Sequence, residues 1–288
     1  MVIDSPSNPR VRAAAALRER RDRERTGLTL VDGGREARRA IESGIEVETA
    51  FVCPGILTAA DATAAVEALR RRGAGEALVE VSERAFEKLA YGDRSDGIVL
   101  VVRPALRSLT ELSLGPAPLL VVTEDVEKPG NLGAILRSAD GAGADAVLAV
   151  GGTDVFNPNV IRASVGTVFS VPIVAAPAAQ AMAWLRERHI RIVAARTDAQ
   201  RIYADADLTG PLAIALGSER VGLSAEWHRA DVEGVRLPMA GVADSLNVSV
   251  AAAVLLYEAW RQRRSAGSGP AADPAPAGSS RLPSRQGD

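Results

Sequence analysis

Three short stretches of this 288-residue chain concentrate side chains that can bind or polarise a ligand, and each follows an apolar run that reads as a strand. The first, TEDVEKPGNLGAILRSADGAGAD (123–145), has Asn131 and Gly133 at the opening of a helix and Arg137 six residues beyond Asn131. Taken alone, this stretch reads better as an N-cap at Asn131 and a turn residue at Gly133. The second, LGSERVGLS (216–224), sets the carboxylate of Glu219 beside Gly217, whose missing Cβ permits close backbone approach to a ligand. Gly222 and Ser224 can end that turn and cap the next helix, and a tight turn with a solvent-facing Glu219 is the alternative. The third, LPMAGVADSLNVSVAAAVLLYEAW (237–260), places Ser245, Asn247 and Ser249 at the start of an apolar helix, where free backbone N–H groups favour an anion or a carbonyl-rich ligand. Capping explains one of these polar residues, not three. Gly141-Ala142-Gly143 is half a dinucleotide fingerprint, but it follows a helix instead of a strand, which argues against nicotinamide.

The elements that must position these loops follow from periodicity. Residues 1–104 alternate helix and strand: helix near 9–22, strand 28–31, helix 35–43, strand 49–53, helix 59–72, strand 77–81, helix 83–89 and strand 97–102. This predicts a small α/β domain. Residues 105–118, with Pro116 and Pro118, read as a linker. Over 119–264 the pattern restarts, with strands 119–122, 146–150, 171–174, 192–195, 212–216 and 234–237. Helices 132–141, 158–165, 178–189 and 248–263 lie among them. Such alternation predicts a mostly parallel sheet covered on both faces, and ligands in that class sit beyond the carboxyl ends of the strands. Residues 265–288, rich in Gly, Pro, Ala and Ser, read as disordered.

Composition narrows the chemistry. A single cysteine, Cys53, forms no intramolecular disulfide, and with only His189 and His228 beside it an ordinary structural zinc site is excluded. The opening MVIDSPSNPR lacks the pattern of a signal peptide, and no apolar run approaches the about 20 residues of a membrane span, so a soluble cytoplasmic protein is expected. Net charge is −2, yet residues 1–40 carry +4 and residues 41–104 carry −4, so any attraction for phosphates is local to the front end. Arg18, Arg20, Arg21, Arg23 and Arg25 alternate there with Glu19, Asp22 and Glu24, which suits a solvated helix face as well as a phosphate-binding one. Thirty-two of the 34 basic residues are arginine; Lys88 and Lys128 are the exceptions. With the many alanines, this is the bias of a GC-rich coding sequence.

In this order and spacing the three stretches resemble the SpoU (TrmH-type) family of S-adenosylmethionine-dependent RNA ribose 2′-O-methyltransferases, of the SPOUT superfamily. The matching positions are Asn131-x-Gly133-x-x-x-Arg137, Leu216-Gly-Ser-Glu-x-x-Gly-Leu-Ser224, and Leu237-Pro-Met through Ser245-Leu-Asn-Val-Ser249. The front segment, SPSNPRVRAAAALRERRDRERTG with LVDGGREARRAIESG, is similar to the L30e-like substrate-binding domain of two-domain members, so the resemblance spans residues 5–264. It implies a carboxyl-terminal parallel-sheet domain tied in a deep trefoil knot, against the general rule that chains do not thread, and a homodimer with sites at the interface. It implies a metal-free reaction and a pocket for S-adenosylmethionine near Ala195, Gly217, Leu237, Leu246 and Asn247.

The resemblance assigns Arg137 to activation of the ribose hydroxyl, although a guanidinium is a poor proton acceptor. Arg137 therefore either loses its proton only in the assembled complex or orients the hydroxyl while a phosphate or water takes the proton. Asn131 would hold the first loop, Glu219 the knot and dimer contact, Ser245 a substrate phosphate and Asn247 the cofactor loop. Arg162, in NPNVIRASVG, is a further candidate for RNA phosphate binding. Arg220 stands where the family usually has glycine. The implied substrate is large-subunit (23S) ribosomal RNA, and some relatives of this layout protect the ribosomes of antibiotic producers against thiostrepton- or avilamycin-type drugs. Two alternatives stand beside it. A transfer-RNA ribose methyltransferase would generally lack such a front domain; a non-catalytic RNA-binding protein of the same fold would not bind the cofactor.

Overall fold

The computed structural model describes residues 2–90, 96–151 and 154–267. In the front half, four strands, β1 (Thr29–Asp32), β2 (Glu46–Val52), β3 (Leu78–Glu80) and β4 (Ile98–Arg103), form a sheet in the order β1-β4-β2-β3. The β2·β3 pair is parallel and the other two pairs are antiparallel. The helices are α1 (Pro9–Ala16), α2 (Arg20–Thr26), α3 (Gly34–Glu42), α4 (Ala60–Arg71) and α5 (Glu83–Leu89). The side chains of β4 alternate between two cores, as a period of two requires. Ile98, Leu100 and Val102 pack with α3 and α4, while Val99 and Val101 join Val11, Leu17, Phe86 and Leu89.

The single helix expected over 9–22 is two helices. Arg23 supplies the reason: it is only 6% exposed, and its Nη1 donates to the carbonyls of Leu17 (2.8 Å) and Arg18 (2.6 Å). Those carbonyls, at the break, are thereby satisfied by a side chain, as helix ends require. A left-handed Gly27 (φ +69°) then closes α2.

The second sheet has seven strands, all parallel: β5 (Leu119–Glu124), β6 (Ala146–Val150), β7 (Ile173–Ala176), β8 (Arg191–Ala195), β9 (Arg201–Ile202), β10 (Leu212–Leu216) and β11 (Val232–Arg236). Their order is β7-β6-β5-β10-β8-β11-β9. The helices are α6 (Pro129–Ala142), α7 (Pro158–Ala163), α8 (Ala178–Glu187) and α9 (Val248–Ser265). The two-residue β9 escaped the sequence reading because so short a strand has no periodicity. The strand expected at 171–174 begins two residues later, after Pro172, whose carbonyl accepts from Val147 N. The segment read as a linker is fastened to the second sheet: Arg107 N donates to Ile173 O at 3.2 Å, and Leu109 is buried in the core beneath it.

One apolar cluster runs without interruption from α3, α4 and β4 into β5, α6, β10 and α9. The chain leaves β11, near one edge of the sheet, and returns as α9 against α6 and β10. Arg263, 5% exposed on α9, donates to Ala117 O (2.7 Å), Pro118 O (3.1 Å), Leu208 O (3.3 Å) and Gly210 O. Burial lowers its pKa from the usual arginine value. Gln262 accepts from Leu208 N and donates to Ala206 O, so the 206–210 segment is clasped to the closing helix. The expected disorder of 265–288 lies, beyond Gly267, outside the described residues; Ser265 still belongs to α9.

Candidate active site

The carboxyl ends of β5, β8, β10 and β11 carry loops that meet around a cleft of about 870 Å³. Glu124, the last residue of β5 and 5% exposed, anchors the second loop. Its carboxylate accepts from Ser224 N (2.6 Å), Ser224 Oγ (2.8 Å) and Trp227 Nε1 (2.9 Å). A buried carboxylate must be met by donors, and three are supplied here. The turn above it is closed by Ser218 N to Gly222 O (3.2 Å) and Gly222 N to Ser218 O (3.0 Å). A Cβ on Gly217 would lie 2.2 Å from the carbonyl carbon of Gly222. Glycine is therefore required at 217 by the loop's own closure, before any ligand is considered.

The three motif loops are joined by side-chain hydrogen bonds. Asn131 Nδ2 donates to Glu219 Oε1, and Asn247 Nδ2 donates to Asn131 Oδ1 at 3.2 Å. Asn247 Oδ1 accepts from Ser249 N (2.9 Å) and Ser249 Oγ (2.7 Å), so Asn247 is both the N-cap of α9 and a bridge to α6. The N-cap of α6 is Lys128, not Asn131, which leaves the Asn131 amide available for this chain of contacts. Gly133 is not a turn residue either: a Cβ there would meet Ala163 Cβ at 2.5 Å and Ser164 N at 2.8 Å, so its role is the close packing of α6 on α7.

Ala195, Gly217, Leu237, Leu246 and Asn247, the expected cofactor positions, all line the cleft, as do Glu219 and Ser245. Arg137 lies on α6 outside this lining, exposed, with no hydrogen bond or ion pair among the described residues. Arg162 is not brought to the cleft. It sits on α7 at the junction with the front domain, 3.8 Å from the Asp32 carboxylate. Neither the periodicity nor the motifs could show this, because β1 and α7 are 130 residues apart in sequence. Glu124, Lys128, Arg196 and Arg236 were missed; an acid ending the apolar run LLVVTE was the one available signal for Glu124. Among the described residues no group of His, Cys, Asp and Glu could hold a metal ion, and no helix is long and apolar enough to cross a membrane.

Residues 118–257 match the model of the SpoU rRNA methylase family, and residues 8–100 match the MRM3-like substrate-binding domain. The chain is 33% identical over 259 residues to the 23S rRNA (uridine(2479)-2′-O)-methyltransferase of Streptomyces viridochromogenes, covering 86% of this chain and 88% of that protein. It is 35% identical over 197 residues to the 23S rRNA (guanosine-2′-O-)-methyltransferase RlmB of Vibrio vulnificus, covering 66% and 79%. Among solved structures, an RNA 2′-O ribose methyltransferase superposes with a TM-score of 0.80 at 44% identity, over 92% of this chain and 100% of that one. The SpoU methyltransferase AviRb of Streptomyces viridochromogenes, in complex with AdoMet, superposes at 0.78 with 31% identity, over 90% and 99%.

Proposed function

Since this chain belongs to the SpoU rRNA methylase family, with the SPOUT α/β fold, we propose that it methylates a ribose 2′-oxygen in 23S ribosomal RNA with S-adenosylmethionine as donor. The observation that carries the reading is the chain Glu219, Asn131, Asn247, Ser249, which ties the three motif loops together beside the cleft that Glu219 and Asn247 line. The resemblance of both domains to a 23S enzyme favours ribosomal over transfer RNA.

The cleft fits the cofactor. Leu237, Leu246 and Leu223 give apolar walls, the 217–222 turn presents backbone groups, and the volume falls in the ordinary range for a ligand of this size. Ala195, Gly217, Leu237, Leu246 and Asn247 would hold it, and it would supply an electrophilic methyl group on a sulfonium. The ribose oxygen must be aligned behind that methyl and lose its proton as the new bond forms. Arg137, a charged fork of donors, orients the hydroxyl and offsets developing negative charge, while a substrate phosphate or water takes the proton. Ser245, exposed at the rim, binds a substrate phosphate.

The protein acts as a homodimer in the cytoplasm. Support for the dimer comes from the α9 face with Val250 (47% exposed) and Tyr257 (49% exposed), which lies against the α6 face at Gly141, one turn beyond Arg137. Covering that face with a second copy would place Arg137 beside the partner. The test is methyl transfer from labelled S-adenosylmethionine to separately purified 23S and transfer RNAs. Label in 23S RNA is expected; label in transfer RNA alone, or in neither, overturns the reading.

A further inference from the structure

The front domain does not hang on a free tether. Among the described residues, its polar links to the second domain include three on α7 and the residues flanking it. Arg23 Nη2 pairs with the Asp154 carboxylate, Thr29 Oγ1 donates to Phe156 O at 2.7 Å, and Arg39 Nη1 donates to Val165 O at 2.7 Å. Gly166, in the left-handed region at φ +80°, has the Glu36 Cα 3.0 Å from where a Cβ would stand. On its other side α7 meets α6 at Gly133, between Asn131 and Arg137, so closely that no side chain fits. Thus α7 is a wedge with the front domain on one side and the reactive helix on the other.

Arg23 is the buried cation of this junction. It closes the break between α1 and α2, where Arg10, Arg12 and Arg21 stand exposed, and the same guanidinium reaches across to Asp154. The Asp154 carbonyl accepts from Asn157 N (3.1 Å), and Asn157 caps α7. One path of contacts, beside those of Thr29, Arg39 and the shared apolar core, therefore runs from the basic helices through Asp154, Asn157 and α7 to the helix of Arg137. A buried ion pair is weak evidence for stability, because desolvation offsets its attraction; its attested use is in fixing register.

We infer that the exposed Arg10, Arg12 and Arg21 of α1 and α2 hold substrate RNA, and that Arg23 and Asp154 are positioning residues that fix this face relative to the helix of Arg137 and so help select which ribose is methylated. This rests on the ribose-methylation reading above. The test uses the full-length protein with purified 23S RNA and compares wild type with Asp154→Ala and Asp154→Asn. Arg23 itself is left in place, since removing it strands two carbonyls. Asp154→Ala is expected to bind S-adenosylmethionine as wild type does by calorimetry. Its single-turnover rate should fall about tenfold, in line with the cost of a small misplacement. Part of its ribose methylation should move to nucleotides flanking the wild-type position. Asp154→Asn, which keeps an acceptor for Arg23, should restore the site. A rate loss with an unchanged site, or no change in either, overturns the inference. Hydrogen exchange of the free protein provides a readout independent of activity: amides of 160–166 should exchange faster in Asp154→Ala, and identical exchange also overturns it. A wild type that labels no ribose while exchange responds would sink the functional reading and leave the coupling standing.

Discussion

Glu219 illustrates how much of the site a residue type can disclose and what it leaves out. Its carboxylate beside Gly217 was legible in LGSERVGLS, and Asn131 and Asn247, singled out by the other two motifs, meet it in one chain of hydrogen bonds, whereas Arg137 lies outside the cleft lining. That Glu219 accepts from Asn131, 88 positions earlier, was not legible, because no local pattern records a long-range partner. Glu124 was missed for the same reason, since its three donors come from Ser224 and Trp227, about a hundred residues later. The contact has a testable consequence. Glu219→Ala removes the acceptor that holds the Asn131 amide, and the single-turnover methylation rate should fall about tenfold through misalignment. Glu219→Gln keeps an acceptor at Oε1 and should stay within a few-fold of wild type. Equal losses in rapid-quench measurements would mean that the charge, not the bond, matters.

At the scale of the element, the strongly patterned pieces were readable and the junctions were not. Helix 83–89 and strand 212–216 were read to the residue, because their apolar spacing is unambiguous. The break between α1 and α2 depends on a guanidinium folding back onto Leu17 and Arg18, which periodicity cannot encode. Gly133 looked like a turn residue and is a helix contact. Gly133→Ala places a methyl group 2.5 Å from Ala163 Cβ, so α6 and α7 must part; a loss of about 1–3 kcal/mol is expected from urea denaturation. An unchanged midpoint would show that α7 yields freely. On α3, burial raises the Glu36 carboxyl pKa, with Asp96 adding to it and its own backbone hydrogen bond, Arg35 and Arg162 opposing it. The folded protein therefore holds a proton at Glu36 that the unfolded chain gives up sooner as pH climbs. This contribution to stability is intact below the ordinary glutamate range and is lost as pH rises through the raised value. Glu36→Gln should flatten that decline in a series of urea midpoints, and a parallel decline in both proteins would contradict the assignment.

For the molecule as a whole, the two α/β halves were legible as a restart of the strand and helix pattern after residue 118, but their union was not. The second sheet places β10 between β5 and β8, an order no run of apolar residues can announce. Arg263 gathers carbonyls from 117–118 and 208–210, which are brought together only by the return of α9. The net charge of −2 offers RNA no general attraction, yet the +4 of residues 1–40 falls on the helices that Arg23 locks to the second domain. The central claim is that this assembly delivers one ribose to the cleft and that Arg137 acts on its 2′-oxygen. Its most direct test is to treat purified 23S RNA with S-adenosylmethionine and either wild type or Arg137→Ala. Nuclease digests are then analysed by mass spectrometry for dinucleotides protected by a 2′-O-methyl group. One protected dinucleotide with wild type, and its loss with an Arg137→Ala variant that still binds S-adenosylmethionine, is the predicted result. Methylation of a base, or an Arg137→Ala variant that yields the same dinucleotide at the wild-type single-turnover rate, would contradict it.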